Sequence, residues 1–155
     1  MQIRRATADD IDTLFDIRFS VHENLLTREQ LAEMGITPQS LAELLQSICA
    51  AWLVECEGIP AGFTIADSQF GMIFAAFVRP EYEGRGVGKL ALQAAEEWLA
   101  DQGVAEAWLC TGRDRHIRAH GFYRHMHWKE DGYTADGQVK YTKRLVGENS
   151  GISSY

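Results

Sequence analysis

Apolar residues recur along this chain with two periods, and the switches between them delimit its elements. Gln2 to Arg5 reads as a short strand. Thr7-Ala8-Asp9-Asp10 has the spacing of a capping box ahead of a helix that puts Ile11, Leu14, Phe15 and Arg18 on successive turns. Thr27 with Gln30 repeats the capping pattern for a short second helix. Thr37-Pro38 supplies a cap and a first-turn proline for a third, carrying Leu41, Leu44, Leu45 and Ile48. The period then shortens: Ala50 to Cys56, Ala61 to Asp67 and Phe70 to Val78 are apolar or alternating runs, separated by Glu57-Gly58 and Ser68-Gln69, as in an antiparallel meander. After a glycine-punctuated loop the helical period returns and runs to Asp101, stopped near Gly103, with Val87, Leu90, Ala91, Ala94 and Trp98 as its expected apolar side. Ala105 to Cys110 reads as a strand and Asp114 to about His125 as a helix. Trp128 and Val139 to Leu145 read as two closing strands around a turn at Asp136-Gly137. The order β-α-α-α-β-β-β-α-β-α-β-β predicts an α/β fold, a mixed and mostly antiparallel central sheet flanked by helices. With no internal repeat or linker, residues 1–146 form one expected domain, and 147–155 form a polar tail.

Composition narrows the class of protein more than the fold. A chain of 155 residues, 46% apolar and 24% charged, suits one soluble domain, and no run approaches the roughly 18 apolar residues of a membrane span. The first ten residues hold two arginines with no apolar stretch behind them, so a secretory signal is not read here and a cytoplasmic location is expected. Cys49, Cys56 and Cys110 form no C-x-x-C pair and read as reduced, mostly buried thiols. A net charge of −7 argues against a nucleic-acid partner, which calls for a basic face. Positive charge gathers instead at Arg79, Arg85 and Lys89, and the acidic remainder suits a cationic second substrate.

That positive cluster coincides with a strand-loop-helix unit from Met72 to Lys89. Glycines at 84, 86 and 88 let backbone N–H groups face a ligand, and the following helix directs its unpaired N-terminal N–H groups to the same point, which predicts a phosphorylated ligand. Two other phosphate loops fail on spacing. A Walker loop would need glycine at Glu83 and Ser or Thr at Leu90. A dinucleotide fingerprint on Gly86-Val87-Gly88-Lys89-Leu90-Ala91, as in a nicotinamide-cofactor enzyme, would lie mid-chain after a meander with too few strands following.

Val78-Arg79-Pro80-Glu81-Tyr82-Glu83-Gly84-Arg85-Gly86-Val87-Gly88 resembles motif A of the GCN5-related N-acetyltransferases (GNAT), V-x-P-x-[FY]-[QR]-x-x-G-x-[GA], departing from it at Glu83. Further on, Ala119, Phe122, Tyr123 and Trp128 match the family's N-x-x-A-x-x-F-Y-x-x-x-G-[FW], with His116 in place of Asn and His127 in place of Gly. The resemblance implies a single GNAT domain that transfers acetyl from acetyl-CoA directly to a primary amine. It implies that Phe77 and Val78 main-chain groups hold the pantetheine arm where two strands splay apart. The pyrophosphate would rest on the loop residues Gly84, Arg85, Gly86, Val87, Gly88 and Lys89, with Glu83, Ala119 and Phe122 also at the cofactor. Glu83 is expected to turn its carboxylate away from the phosphates. Many proteins of this fold associate as homodimers; no metal is expected.

Tyr123 stands at the family's proton-donor position, and a phenol with an ordinary pKa of about 10 stays protonated at neutral pH and can donate to a departing thiolate. For the base, Glu23, Asp67 and Glu81 remain open candidates beside the reading of each as a solvated carboxylate, with His22 as a further one. His116 and His120 are spaced to share a metal on one helix face, but Ile117 occupies the place of the glutamate in H-E-x-x-H and no third ligand is evident. Cys110 ends an apolar strand without a paired base and reads as structural. The acceptor is left open among polyamine, aminoglycoside, amino acid and a protein amine. A protein N-acetyltransferase or a non-catalytic acyl-CoA sensor of the same fold stands as the alternative.

Overall fold

The computed structural model describes residues 1–22 and 26–145. Strand β1 (Gln2–Arg5) leads through a 3-10 turn at Ala8–Asp10 into helix α1 (Ile11–Ser20), followed by α2 (Arg28–Glu33) and α3 (Pro38–Leu45). The meander is β2 (Cys49–Cys56), β3 (Ile59–Asp67) and β4 (Met72–Val78). The second half is α4 (Val87–Asp101), β5 (Glu106–Thr111), α5 (Arg118–His125), β6 (Lys129–Tyr133) and β7 (Val139–Arg144). This element order is the one the sequence predicts. All three predicted caps form: Thr7, Thr27 and Thr37 each close a capping box, with Asp10, Gln30 and Ser40 reaching back to the cap N–H.

Among the described residues the strands form one sheet in the order β1-β2-β3-β4-β5-β7-β6, antiparallel throughout except where β4 meets β5. Alternation on β2 divides the core between the two faces. Cys49, Ala51 and Leu53 pack with Leu14, Phe15, Ile17 and Leu41 from α1 and α3, whereas Val54 packs with Val87 and Ala91 of α4 on the other face. A second cluster on the α4 side joins Leu92, Ala95 and Leu99 to Leu109, Tyr123, Trp128, Val139 and Tyr141. There Glu96 ties α4 to the far half of the sheet. Its carboxylate accepts from Lys143 Nζ at 2.8 Å and from the Trp128 indole N–H at 3.0 Å, while Lys143 also donates to Met126 O at 2.9 Å.

Two expectations shift. The buried line of α4 is Val87, Ala91, Leu92, Ala95 and Leu99, with Leu90, Ala94 and Trp98 only partly covered. Ala and Leu surround most of this helix, so its sequence specifies the inward direction weakly. Trp98 goes to the rim, edge-on to Trp52, with the Arg5 guanidinium over both rings. The expected helix from Asp114 begins only at Arg118, because Asp114 forms a turn first. Its Oδ1 accepts from His116 N at 3.0 Å and its carbonyl from Ile117 N at 3.1 Å.

Candidate active site

The sheet is parted at its centre. Among the described residues β4 and β5 pair in register only at Met72 and Trp108. The Trp108 backbone N–H donates to Gly71 O at 3.0 Å and its indole N–H to Phe70 O at 2.9 Å. Beyond that point β4 carries an extra residue, Phe74, between the pairs Ile65–Ala75 and Ala66–Ile73. Such a bulge bends a strand and strengthens its twist, so residues up to Val78 leave β5 while keeping β3 as a partner. One edge of β4 is therefore free of sheet pairing at Phe77 and Val78, as the predicted splay requires.

Two cavities of about 640 and 610 Å³ open on the two sides of this parting and share Phe63, Ala76, Phe77, Ala119 and Tyr123 as a common wall. The second is lined by Val78, Pro80, Tyr82, Glu83, Gly84, Gly86, Val87, Gly88, Lys89 and Phe122, which is most of the loop set expected at the cofactor. Gly84 and Gly86 have φ of 77° and 85°, the left-handed region that glycine adopts without strain, and Gly86 is the N-cap of α4. The first helical turn, Val87-Gly88-Lys89-Leu90, thus points unpaired N–H groups and the positive end of a 15-residue helix at the cavity. The approach of α4 to the sheet is close. A Cβ on Gly62 of β3 would lie 2.7 Å from Val87 Cγ1 and 2.9 Å from Phe77 O. Arg85 stacks its guanidinium 5.2 Å from the Tyr82 ring centroid, leaving its backbone as its contribution to the loop. Glu83 sets its carboxylate 3.4 Å from Arg118 Nε of α5, so its charge is answered from the opposite wall. This donor set, a run of backbone N–H groups at a helix N-terminus with Lys89 beside it, fits a pyrophosphate.

Tyr123 lies at the junction, 7% exposed, against Phe122, Trp128 and Tyr141. No hydrogen bond joins its hydroxyl to a described residue, and burial, with smaller contributions from Cys110 and Tyr141, pushes its pKa well above the ordinary phenol value. It is a protonated phenol held at the boundary of both cavities. Its carbonyl is also occupied: α5 ends with Trp128 N–H donating to Tyr123 O at 2.9 Å and His127 N–H to Arg124 O at 3.1 Å, with His127 at φ 71°. That is a Schellman cap, and the family's glycine position coincides with the residue in left-handed conformation.

The other candidates scatter. Asp67 sits at the far end of β3, opposite Met72, roughly 20 Å along the sheet from Val78. Its Oδ1 accepts from Gln69 N at 2.8 Å and Phe70 N at 3.1 Å, so its carboxylate closes a hairpin and does not reach the junction. Glu81 is exposed on the turn Pro80–Tyr82 and lines neither cavity. Glu23, like the tail from Gly147, lies outside the described residues. His22 borders the cofactor cavity. His120 is not paired with His116. It is 1% exposed, with Nδ1 2.8 Å from Tyr141 Oη and Nε2 2.9 Å from Gly112 O, whereas His116 is exposed ahead of the helix. Because a carbonyl can only accept, Nε2 carries the proton and Nδ1 accepts from the tyrosine. Cys49 and Cys110 are both pushed upward by burial, Cys49 to about 12, so neither is a ready nucleophile.

The larger cavity contains the residue that sequence reasoning passed over. Leu14, Phe15, Leu31, Leu41 and Phe63 line it with apolar surface, and Arg18 of α1 projects among them. Its place on the apolar stripe of α1 was the available signal.

The chain matches the acetyltransferase (GNAT) family over residues 12–128, and it belongs to that family. A curated relative, an uncharacterized N-acetyltransferase of Archaeoglobus fulgidus, is 27% identical over 134 residues, spanning 79% of this chain and 89% of its own. The fold is shared with the PaiA N-acetyltransferase of Thermoplasma acidophilum solved in complex with coenzyme A (TM-score 0.78, 18% identity, 92% of this chain and 98% of that one). An aminoglycoside 6'-N-acetyltransferase complexed with coenzyme A also superposes (TM-score 0.73, 15% identity, 94% and 97%).

Proposed function

We propose that this protein is an acetyl-CoA-dependent N-acetyltransferase that passes the acetyl group directly to the primary amine of a small acceptor. The observation that carries the reading is the shared wall at Phe77 and Tyr123. One cavity ends in a pyrophosphate-type cradle, the other is a largely apolar chamber, and they meet where β4 has an unpaired edge. Acetyl-CoA would lie along the loop and β4, with its thioester presented at that edge. The neutral amine nitrogen attacks the thioester carbonyl carbon, a main-chain N–H near Phe77 or Val78 faces the oxygen as it gains charge, and the C–S bond breaks as the C–N bond forms. Tyr123 Oη supplies a proton to the departing thiolate and is reprotonated from solvent; the ammonium formed on the acceptor loses its proton to water. Asp67 and Glu81 line neither cavity; in this reading water takes the proton, and the acceptor's own ammonium governs the acid limb of the rate profile.

Calorimetry with acetyl-CoA, followed by free-thiol release over a panel of small amines, tests this. Micromolar binding together with amine-dependent release is expected. Binding without release across the panel would establish the sensor alternative, and absence of binding would remove both.

A further inference from the structure

Within that acetyltransferase reading, we propose that Arg18 is the seat of a carboxylate in the larger cavity, and that the acceptor is a small apolar amino acid whose carboxylate docks there. Arg18 Nη1 is the one buried side-chain polar atom without a hydrogen-bond partner among the described residues. Three other arginines have carboxylate partners, Arg4 with Asp10, Arg115 with Glu130 and Arg118 with Glu83, all at the surface. A charged N–H withdrawn from water without an acceptor is costly, and stacking on an aromatic ring offsets only part of that cost. Arg18 has such a ring: its guanidinium carbon stands 4.2 Å from the Phe77 centroid. A carboxylate would satisfy the remaining N–H groups through the planar fork, which matches two oxygens at once.

Position makes this a specificity determinant. Phe77 belongs to the wall between the two cavities, so an anion on Arg18 lies beside the place where amine and acyl group must meet. Its distance from the amine is then a few bonds, as in an α- or β-amino acid. The body of the acceptor would fill the space walled by Leu14, Phe15, Leu31 and Phe63. The cavity's carboxylate, Asp136, is engaged with Thr134 Oγ1 and Gln138 Nε2 and does not answer Arg18. With Arg113 also on its lining, the chamber holds two cations to one carboxylate inside a chain of net charge −7. The same chemistry could arrive on the donor, as the free carboxylate of a dicarboxylic acyl group on CoA.

The test compares wild type, Arg18→Met and Arg18→Lys in thiol release. With acetyl-CoA, the acceptors are L-leucine, L-methionine and L-phenylalanine against their amides; with succinyl-CoA, the amides alone. Arg18→Met must keep its melting temperature and CoA affinity. Expected is a preference for an acid over its amide of roughly 10-fold to 100-fold in kcat/KM, lost in Arg18→Met and partly kept in Arg18→Lys, the acid rates falling far more than the amide rates. Preference for succinyl-CoA over acetyl-CoA with the amides, lost in Arg18→Met, assigns the carboxylate to the donor. Equal use of acids and amides in wild type, or equal losses for both in Arg18→Met, overturns the seat. If CoA binds but no pairing releases thiol, the transferase reading fails. Calorimetry of L-leucine, L-methionine and L-phenylalanine in the presence of CoA then decides the seat alone: binding by wild type but not Arg18→Met upholds it, and equal or absent binding refutes it.

Discussion

The two cavities are nearly equal in size and are built of different material. The one along the loop takes its anion-facing groups from backbone: left-handed glycines, a helix N-terminus and an unpaired strand edge, with the side chains of Arg85 and Glu83 turned to other partners. The other is made of side chains from α1, α2 and α3 set over β3, β4 and β5 and the turn between β6 and β7, with the half-buried Arg18 among them. A backbone site constrains which residues may lack a Cβ. A side-chain site constrains only volume and charge, which many sequences satisfy. The first should therefore respond to changes in backbone conformation and the second to changes in side-chain chemistry, with Tyr123 on the wall between them answerable to neither alone.

Replacing Tyr123 by Phe should have the largest effect. It removes the proton donor and no structural hydrogen bond, so turnover in the thiol-release assay should fall by about 100-fold with CoA affinity and melting temperature nearly unchanged. Undiminished turnover would make the residue a packing element of the wall. Next, Gly86→Ala puts a Cβ on a residue at φ 85° and should weaken CoA binding about tenfold by calorimetry, at a stability cost of about 1 kcal/mol, while acceptor KM stays put. A matching rise in acceptor KM would dissolve the distinction between the two cavities.

Acid should loosen the acceptor side first. The Arg4 guanidinium, with bonds from Thr7, holds Asp10 at a pKa of about 2, below its ordinary value. Because the folded-state pKa is depressed, this stabilisation is fully present above about pH 4 and is lost as pH falls toward 2. The group is near the surface and screened, so about 1 kcal/mol is at stake, visible as earlier amide exchange at the start of α1 than in α4. The smallest effect goes the other way: His127→Gly relieves a left-handed residue at the α5 cap and should raise stability by about 0.5 to 1 kcal/mol in chemical denaturation, without altering turnover.

The same contrast explains what could be read from the chain. Thr7, Thr27 and Thr37 announced three helices because a capping box is a local hydrogen-bond pattern with fixed spacing, and glycines 84, 86 and 88 announced the loop for a similar reason. The parting of β4 from β5 followed from resemblance and not from spacing, since a bulge at Phe74 leaves no mark in an apolar run. Asp67 looked available because a carboxylate at a strand end has the same sequence signature whether it meets substrate or caps two amides of a turn. His120 looked like half of a metal pair because i,i+4 spacing presupposes a helix, and the helix starts two residues after His116. Arg18 was visible only as an apolar-stripe position filled by a cation, and what faces it comes from β4, about sixty positions along the chain.

Gly62 has a consequence for the kind of donor the site accepts. With no side chain between them, Val87 rests on bare β3 backbone, and the interval from the phosphate cradle to the acyl edge is set by a contact that nothing can cushion. The site then works as a ruler. An acyl group carried on an arm that spans the interval engages both ends at once, whereas a short thioester such as S-acetylcysteamine can hold only one and forfeits the gain of a tethered second contact.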